Sequence, residues 1–456
     1  MFGSLVPYED SVSGVPSWQR RRVKTILTEI DRRTTTGTEP LLSLRARAGL
    51  VDHLSAGGKP IDPSALVGYK IVRPGELVMN RMRAATGVFG LAEREGLVSP
   101  DYALFQLEPD VIPAYILELL RTPAMADQMR LRSRGMGTGE SGFLRLYTDA
   151  FGAMPLMLPP VEEQQAIVRY LAYANNRINR AANSKRRLNR LLGEQRKTII
   201  NRIVLAGTDP GVELMNSGSR FVGSIPAHWD LMRFSQLVRP VQRAGFAHEA
   251  LLSVYLGKGV IPYNEGGKRV HAPSVDLSAY QLVEPGDLVM NNQQAWRGSV
   301  GVSSIRGIVS PAYLVAKLSS QLDSTYARHL FASRPMVDQY VVASKGVGDI
   351  QRTLYWPYMR NVLVPVPPMS EQRKIVTRLE QAVTSTDHSV ARVSREIALL
   401  EEFRTRLTSD VVTGRIDVRE IAATLPPVDV VDVSPAVEEI DEADDDESAV
   451  EELVDA

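Results

Sequence analysis

The side chains best suited to chemistry in this sequence are donors and acceptors that recognise flat polar edges, and they fall into two clusters. Asn80 is followed by Arg81-Met82-Arg83, and Asn291 by Asn292-Gln293-Gln294-Ala295-Trp296-Arg297. Arginine offers paired N–H groups to O6 and N7 of guanine, and Asn or Gln offers a donor and an acceptor to adenine. Each such pair contributes about 1–3 kcal/mol of discrimination between bases. Arg132 and Arg134 stand beside a glycine-rich run at 135–139, and Lys345 and Arg352 beside another at 346–348. Exposed loops are commonly rich in such residues, so each cluster carries more weight than any one member.

Other chemistry is mostly missing from the sequence. There is no cysteine, which excludes disulfides and thiolate nucleophiles or metal ligands. The six histidines, His53, His228, His248, His271, His329 and His388, show no metal-binding spacing. The glycine run that reaches Gly142 is not followed by Gly-Lys-Ser or Gly-Lys-Thr, and Gly266-Gly267-Lys268 runs into Arg269, so an ATP-binding phosphate loop is not supported. No Asn-Pro-Pro-Tyr or Asp-Pro-Pro-Tyr segment of the kind used by amino-methyltransferases occurs.

Both clusters follow a duplicated segment, which tells how they are positioned. Pro74-Gly75-Glu76-Leu77-Val78-Met79-Asn80 returns 211 residues later as Pro285-Gly286-Asp287-Leu288-Val289-Met290-Asn291. Val98-Ser99-Pro100-Asp101-Tyr102 returns as Val309-Ser310-Pro311-Ala312-Tyr313, and Trp18 with Arg22 answers Trp229 with Arg233. Pro159-Pro160-Val161-Glu162-Glu163-Gln164 pairs with Pro367-Pro368-Met369-Ser370-Glu371-Gln372 at an offset of 208. So long a period means a duplicated domain rather than a solenoid. The apolar runs at 76–79 and 287–290, each after a Pro-Gly turn, predict one buried strand per copy. Segments 112–120 and 324–333 read as helical, and the two glycine runs as matching loops.

Each copy leads into a long helix. Between Val161 and Ala206, apolar residues recur at helical spacing through Ile167, Leu171, Ala174, Ile178, Ala181, Leu188, Leu192, Ile199 and Ile203. The second helix repeats this from Ile375 to Val411, and Gly207 and Gly414 are suited to close the two. At about 1.5 Å per residue each helix spans roughly 70 Å, and a seam that long needs a partner. The obvious partner is the sister helix, laid antiparallel, with a homodimeric coiled coil as the competing arrangement.

The formal net charge of zero hides a segregation. Pro426 to Ala456 holds 13 Asp and Glu and no Lys or Arg, which leaves 53 basic against 40 acidic residues in the body. The segment from Val161 to Gly207 carries ten basic and three acidic residues, including Lys185-Arg186-Arg187, whereas Met369 to Gly414 has seven of each. A basic rod of this kind is suited to a phosphate backbone or to acidic partner proteins. Residues 415–456 read as an acidic tail too poor in apolar side chains to fold. A secretory leader and any apolar stretch of about 18 residues are lacking, so a cytoplasmic protein without membrane association is expected.

The Pro-Pro-x-x-Glu-Gln segments that open both helices, together with Phe221-Val222-Gly223-Ser224-Ile225-Pro226-Ala227-His228-Trp229, resemble the DNA-specificity subunit of Type I restriction-modification systems. The resemblance runs from about Trp18 to Gly414. It implies an α+β fold with two pseudo-symmetric mixed target-recognition domains joined by two long antiparallel helices forming a coiled coil. The domains would be 1–157 and 230–366, the helices 158–207 and 367–414, with a linker at 208–229. It further implies a subunit without catalysis of its own, whose domains each read half of a bipartite double-stranded DNA site while the helices set the spacer. Two methyltransferase subunits and motor-nuclease subunits would be the partners. They would supply S-adenosylmethionine, ATP and magnesium chemistry, and no cofactor is expected on this chain. The acidic tail departs from the family pattern. A coiled-coil assembly scaffold without DNA specificity and a stand-alone DNA-modifying enzyme are the alternatives.

Overall fold

Pro-Gly turns launch the duplicated strands, as expected. Gly75 and Gly286 take φ of +85° and +91°, which an L side chain resists, and the N–H groups of Glu76 and Asp287 close the turns onto the carbonyls of Arg73 and Glu284. The strands are Leu77–Met79 and Asp287–Asn291. Both are buried because both of their faces are covered. Leu77 and Met79 join one apolar cluster and Val78 another, and Leu288 and Met290 are separated from Val289 in the same way. An unbroken apolar run is what such a doubly covered strand requires.

The computed structural model describes residues 17–46, 48–136, 143–265, 274, 276–347 and 351–426. Two units result, one formed by residues 1–185 and 396–456 and the other by residues 186–395. Each therefore takes in a globular domain, one portion of the first long helix and one portion of the second. In the first unit the duplicated strand lies in a four-stranded antiparallel sheet ordered Leu27–Ile30, Ala103–Leu107, Leu77–Met79, Phe89–Leu91. In the second the order is Val238–Pro240, Tyr313–Leu318, Asp287–Asn291, Val300–Val302. Helices Pro113–Leu120 and Pro123–Arg132 in one unit correspond to Ser324–Phe331 and Arg334–Ala343 in the other.

The long helices are Val161–Ala206 and Met369–Val412, of 46 and 44 residues. Gly207 and Gly414 end them at φ of +73° each, the left-handed conformation of a helix stop. At Gly207 a Cβ would also come within 2.9 Å of Glu371 Oε1, so that carboxylate would have to shift. Within the first unit Asn179 accepts from Arg404 at 3.1 Å and Lys185 meets Glu396 at 2.5 Å. Within the second, Asn189 donates to Ser394 at 3.1 Å and Arg196 meets Asp387 at 2.6 Å. Partner numbers fall as helix numbers rise, so the pairing is antiparallel and made within one chain.

The Pro-Pro-x-x-Glu-Gln segments have a mechanical role. Gln164 is fully buried, accepts from the N–H of Ile112 at 2.8 Å, and donates to the carbonyls of Asp110 at 3.0 Å and Pro159 at 2.9 Å. Gln372 repeats all three bonds with Asp323, Gln321 and Pro367. One amide thus ties the first turn of the long helix to the loop that begins the domain's own helices. Ile167 and Leu171 then join Val411 and Val412 in the first domain core, and Val204 joins Ile375 and Leu379 in the second.

Four expectations are corrected. The apolar seam is interrupted, because Leu188 is 45% exposed and the pairs Lys185–Glu396 and Arg196–Asp387 stand along the stretch that also buries Ala182 and Val393. Segment 208–229 is more than a linker. It forms the hairpin Leu214–Asn216 with Ser224–Pro226 and buries Val222, Ile225 and Trp229 in the second core. The tail does not begin at 415, since Arg419–Thr424 is helical and Val418 and Ala422 are buried. Gly135 and Gly346 lie in strands of β-hairpins rather than in loops, as an exposed, ladder-bonded glycine can. Residues 137–142, 348–350, Gly266 to Arg269, His271 and the acidic stretch from 427 lie outside the described residues.

Candidate nucleic-acid interface

In each unit the polar cluster after the duplicated strand is brought against the glycine-containing hairpin. Arg134–Met136 pairs with Phe143–Arg145 in the first unit, and Ser344–Val347 with Gln351–Leu354 in the second. The N–H of Leu146 donates to the Arg81 carbonyl at 2.9 Å, and that of Leu354 to the Asn292 carbonyl at the same distance. The frame is common to both units, and the side chains mounted on it differ.

Asn80 serves the backbone in the first unit. Its Oδ1 accepts from the N–H groups of Met82 at 3.0 Å and Arg83 at 3.2 Å, an Asx turn like the one Asn291 makes with Gln293 at 3.1 Å. Asn80 thus uses its Oδ1 to form the turn. Arg81 is drawn inward to Glu29 at 2.5 Å and Thr148 Oγ1 at 3.3 Å. Arg132 folds back on Gln128, whose carbonyl it meets at 3.2 Å. Arg134 is exposed, 3.8 Å from Asp149 and 5.9 Å from the Tyr147 ring centre. Arg83 is half-buried.

The second unit gathers more of its expected residues into one place. Trp296 donates its Nε1–H to the Gln293 carbonyl at 2.9 Å, which ties the indole to its own turn. The guanidinium of Arg297 lies 4.7 Å from the Trp296 ring centre and that of Arg352 lies 5.7 Å from it. Lys345 sits 4.6 Å over the Tyr358 ring, and the hydrogen bond to the Tyr358 hydroxyl raises the pKa of the ammonium. Gln293 is exposed, and Asn292 and Gln294 are half-buried. Cations resting on aromatic faces keep their N–H groups available for phosphates and base edges.

Sequence reasoning missed Arg145 and Tyr147 in the first unit and Tyr355 and Tyr358 in the second. Arg145 lies 3.2 Å from Asp101 and 5.7 Å from the Tyr147 ring centre. All three tyrosines are exposed, which is unusual for so large a ring. Their signal was available in aromatic residues placed just after the hairpins, at Tyr147 and at Tyr355-Trp356. Along the rod, Lys185 and Arg196 spend their charge on Glu396 and Asp387 rather than offering it to a phosphate backbone. No described helix is long and apolar enough to cross a membrane.

No family model matches the chain. It is 22% identical over 309 residues to the Type I restriction enzyme MjaVIII specificity subunit of Methanocaldococcus jannaschii, which covers 64% of this chain and 68% of that protein. Among solved structures, a chain from work on complex assembly and conformational transition of the type I R-M system superposes with a TM-score of 0.57 at 15% identity. It covers 88% of this chain and 99% of the other, and so the two share a fold. The HsdS subunit from Thermoanaerobacter tengcongensis aligns over 88% of this chain and 98% of its own at 18% identity, with a TM-score of 0.38 too low to bear on the fold. The resemblance read from the helix-opening motifs stands, and with it the α+β architecture of paired domains and antiparallel helices.

Proposed function

We propose that this chain is the DNA-specificity subunit of a type I restriction-modification complex. The observation that carries the reading is the repetition of one frame with different side chains. A hairpin bonded to the loop after a buried strand sets Arg134 and Arg145 beside the turn of Arg81 in one unit, and Lys345 and Arg352 beside the turn of Gln293, Trp296 and Arg297 in the other. Two readers of unlike half-sites require such a frame. Relationship to a specificity subunit and a shared fold support the same reading.

On this proposal the chain binds and selects DNA and leaves the chemistry to other subunits. Methyltransferase subunits with S-adenosylmethionine dock on it, motor-nuclease subunits bring ATP and magnesium, and the assembly works in the cytoplasm. The long helices set the spacing between half-sites. Mapping methylated adenines in the host genome tests this directly, since a bipartite motif with a constant gap is expected. Exchange of residues 1–157 for another reader should then change one half-site only. A continuous motif, or changes in both halves, would count against the reading. Methyl transfer by the purified chain alone would favour a stand-alone enzyme.

A further inference from the structure

The two reading frames differ in how their cations are paired with acids. In the first unit Arg81, Arg145 and Arg134 each face a carboxylate, Glu29, Asp101 and Asp149 in turn, at 2.5, 3.2 and 3.8 Å. The second unit has lost all three acids at the equivalent places. Glu29 stands opposite Phe105 across its ladder, and the matching position opposite Ala316 is Pro240. Asp101 lies inside the turn closed from Tyr102 to Ser99, and the same turn from Tyr313 to Ser310 encloses Ala312. Asp149 sits in the turn closed from Phe151 to Tyr147, where the turn from Met359 to Tyr355 holds Pro357.

Cations remain on the second frame after these acids are gone. Lys345 takes the place of Arg134, and Arg352 is added on the hairpin, resting against Trp296. Among the described residues neither meets a carboxylate. Each hairpin tip contributes one further acid to the sequence, Glu140 and Asp349, both outside the described residues. A guanidinium already neutralised by a carboxylate displaces few of the cations condensed on DNA when it meets a phosphate, whereas one held on an aromatic face displaces about its full share.

We propose that Lys345 and Arg352, on the second unit's hairpin, are backbone-phosphate contacts, while the acid-paired Arg81, Arg134 and Arg145 of the first unit add discrimination with little net electrostatic affinity. This rests on the DNA-binding reading above and deepens it. Binding of the full chain to a random-sequence duplex, followed against salt concentration, tests it. Lys345→Gln with Arg352→Gln should flatten the slope of log K against log salt by about two units, near 0.9 for each lost phosphate contact. Removal of the first unit's two outer ion pairs outright, by Arg134→Gln, Asp149→Asn, Arg145→Gln and Asp101→Asn, leaves net charge unaltered and should leave the slope within about half a unit of wild type. Ala312→Asp, which restores an acid to the second frame, should weaken binding in low salt. Circular dichroism confirms that each variant is folded. An unaltered slope in the Lys345 and Arg352 variant, or an equal loss in the ion-pair variant, overturns the asymmetry while leaving DNA binding intact. Failure of the wild-type chain to bind any duplex at low salt overturns the DNA reading itself.

Discussion

The hydroxyl of Tyr115 donates to the carbonyl of Val412 at 3.1 Å, joining residues 297 positions apart, and Tyr326 donates to Val204 at 3.2 Å in the same manner. Both tyrosines are fully buried, so each locks a domain helix to the last turns of the long helix that returns to it. Tyr115→Phe and Tyr326→Phe each leave a buried carbonyl without its donor. A loss of about 1–3 kcal/mol is expected for each, read from urea denaturation with binding of partners absent. A loss below about 0.5 kcal/mol would mean that the phenol is held by packing alone.

Gln164 and Gln372 anchor the starts of the long helices with three hydrogen bonds apiece. Substitution Gln164→Glu keeps the shape but sets an anionic oxygen against the carbonyls of Asp110 and Pro159, where two N–H groups now stand. Gln164→Glu should therefore destabilise the protein at neutral pH at least as much as Gln164→Ala, and regain part of the loss as the pH falls and the carboxyl takes up a proton. Thermal melting across pH distinguishes this from a simple packing role, for which the isosteric change would be nearly silent.

The equivalent indoles Trp18 and Trp229 are not equivalently bonded. Trp18 donates to Glu163 at 3.1 Å, whereas the corresponding Glu371 meets His228 at 2.8 Å and the buried Nε1 of Trp229 has no partner among the described residues. Trp18→Phe should cost about 1.5–3 kcal/mol more than the shared loss of packing, and Trp229→Phe should show no such excess. Equal costs in denaturation would refute a role for the Trp18–Glu163 bond.

His329 lies half-buried in the helix Ser324–Phe331, and burial first, then Arg328 and Arg196, lower its pKa to about 4. The neutral ring is thus the folded form. Above the ordinary histidine pKa of about 6.5 neither folded nor unfolded chain holds the proton, and the group has no effect on stability. As pH falls from there to about 4, the unfolded chain binds a proton that the folded chain does not, and stability drops by up to about 1.4 kcal/mol per pH unit. His329→Gln should flatten that part of the stability profile. An unchanged acid slope would assign the sensitivity to other groups.

Several features were legible in the sequence because their causes are local. The duplicated strand, the Pro-Gly turns before it and the glycine stops at 207 and 414 each depend on the φ or the alternation of a few adjacent residues. The candidate site was legible as two clusters, and the hairpins do carry Arg134, Lys345 and Arg352 beside the loops. Individual roles were less legible. Asn80 looks like a base reader in isolation, but the shape of its own turn consumes its oxygen. The tyrosines that frame the hairpins were missed because they lie beyond the glycine runs that drew attention to them.

The sequence by itself determined that this protein is two related halves with a helix opening after each, since repetition and periodicity are properties of the chain alone. Only the tertiary structure decided that the helices pair with each other within each unit, that one glutamine amide fastens each helix start, and that Arg81 and Arg145 are neutralised by acids 52 and 44 positions away. The physical reason is distance along the chain. Charge pairing and burial act through space over a few ångströms, and no spacing rule in a sequence reports which remote carboxylate will arrive beside a given arginine.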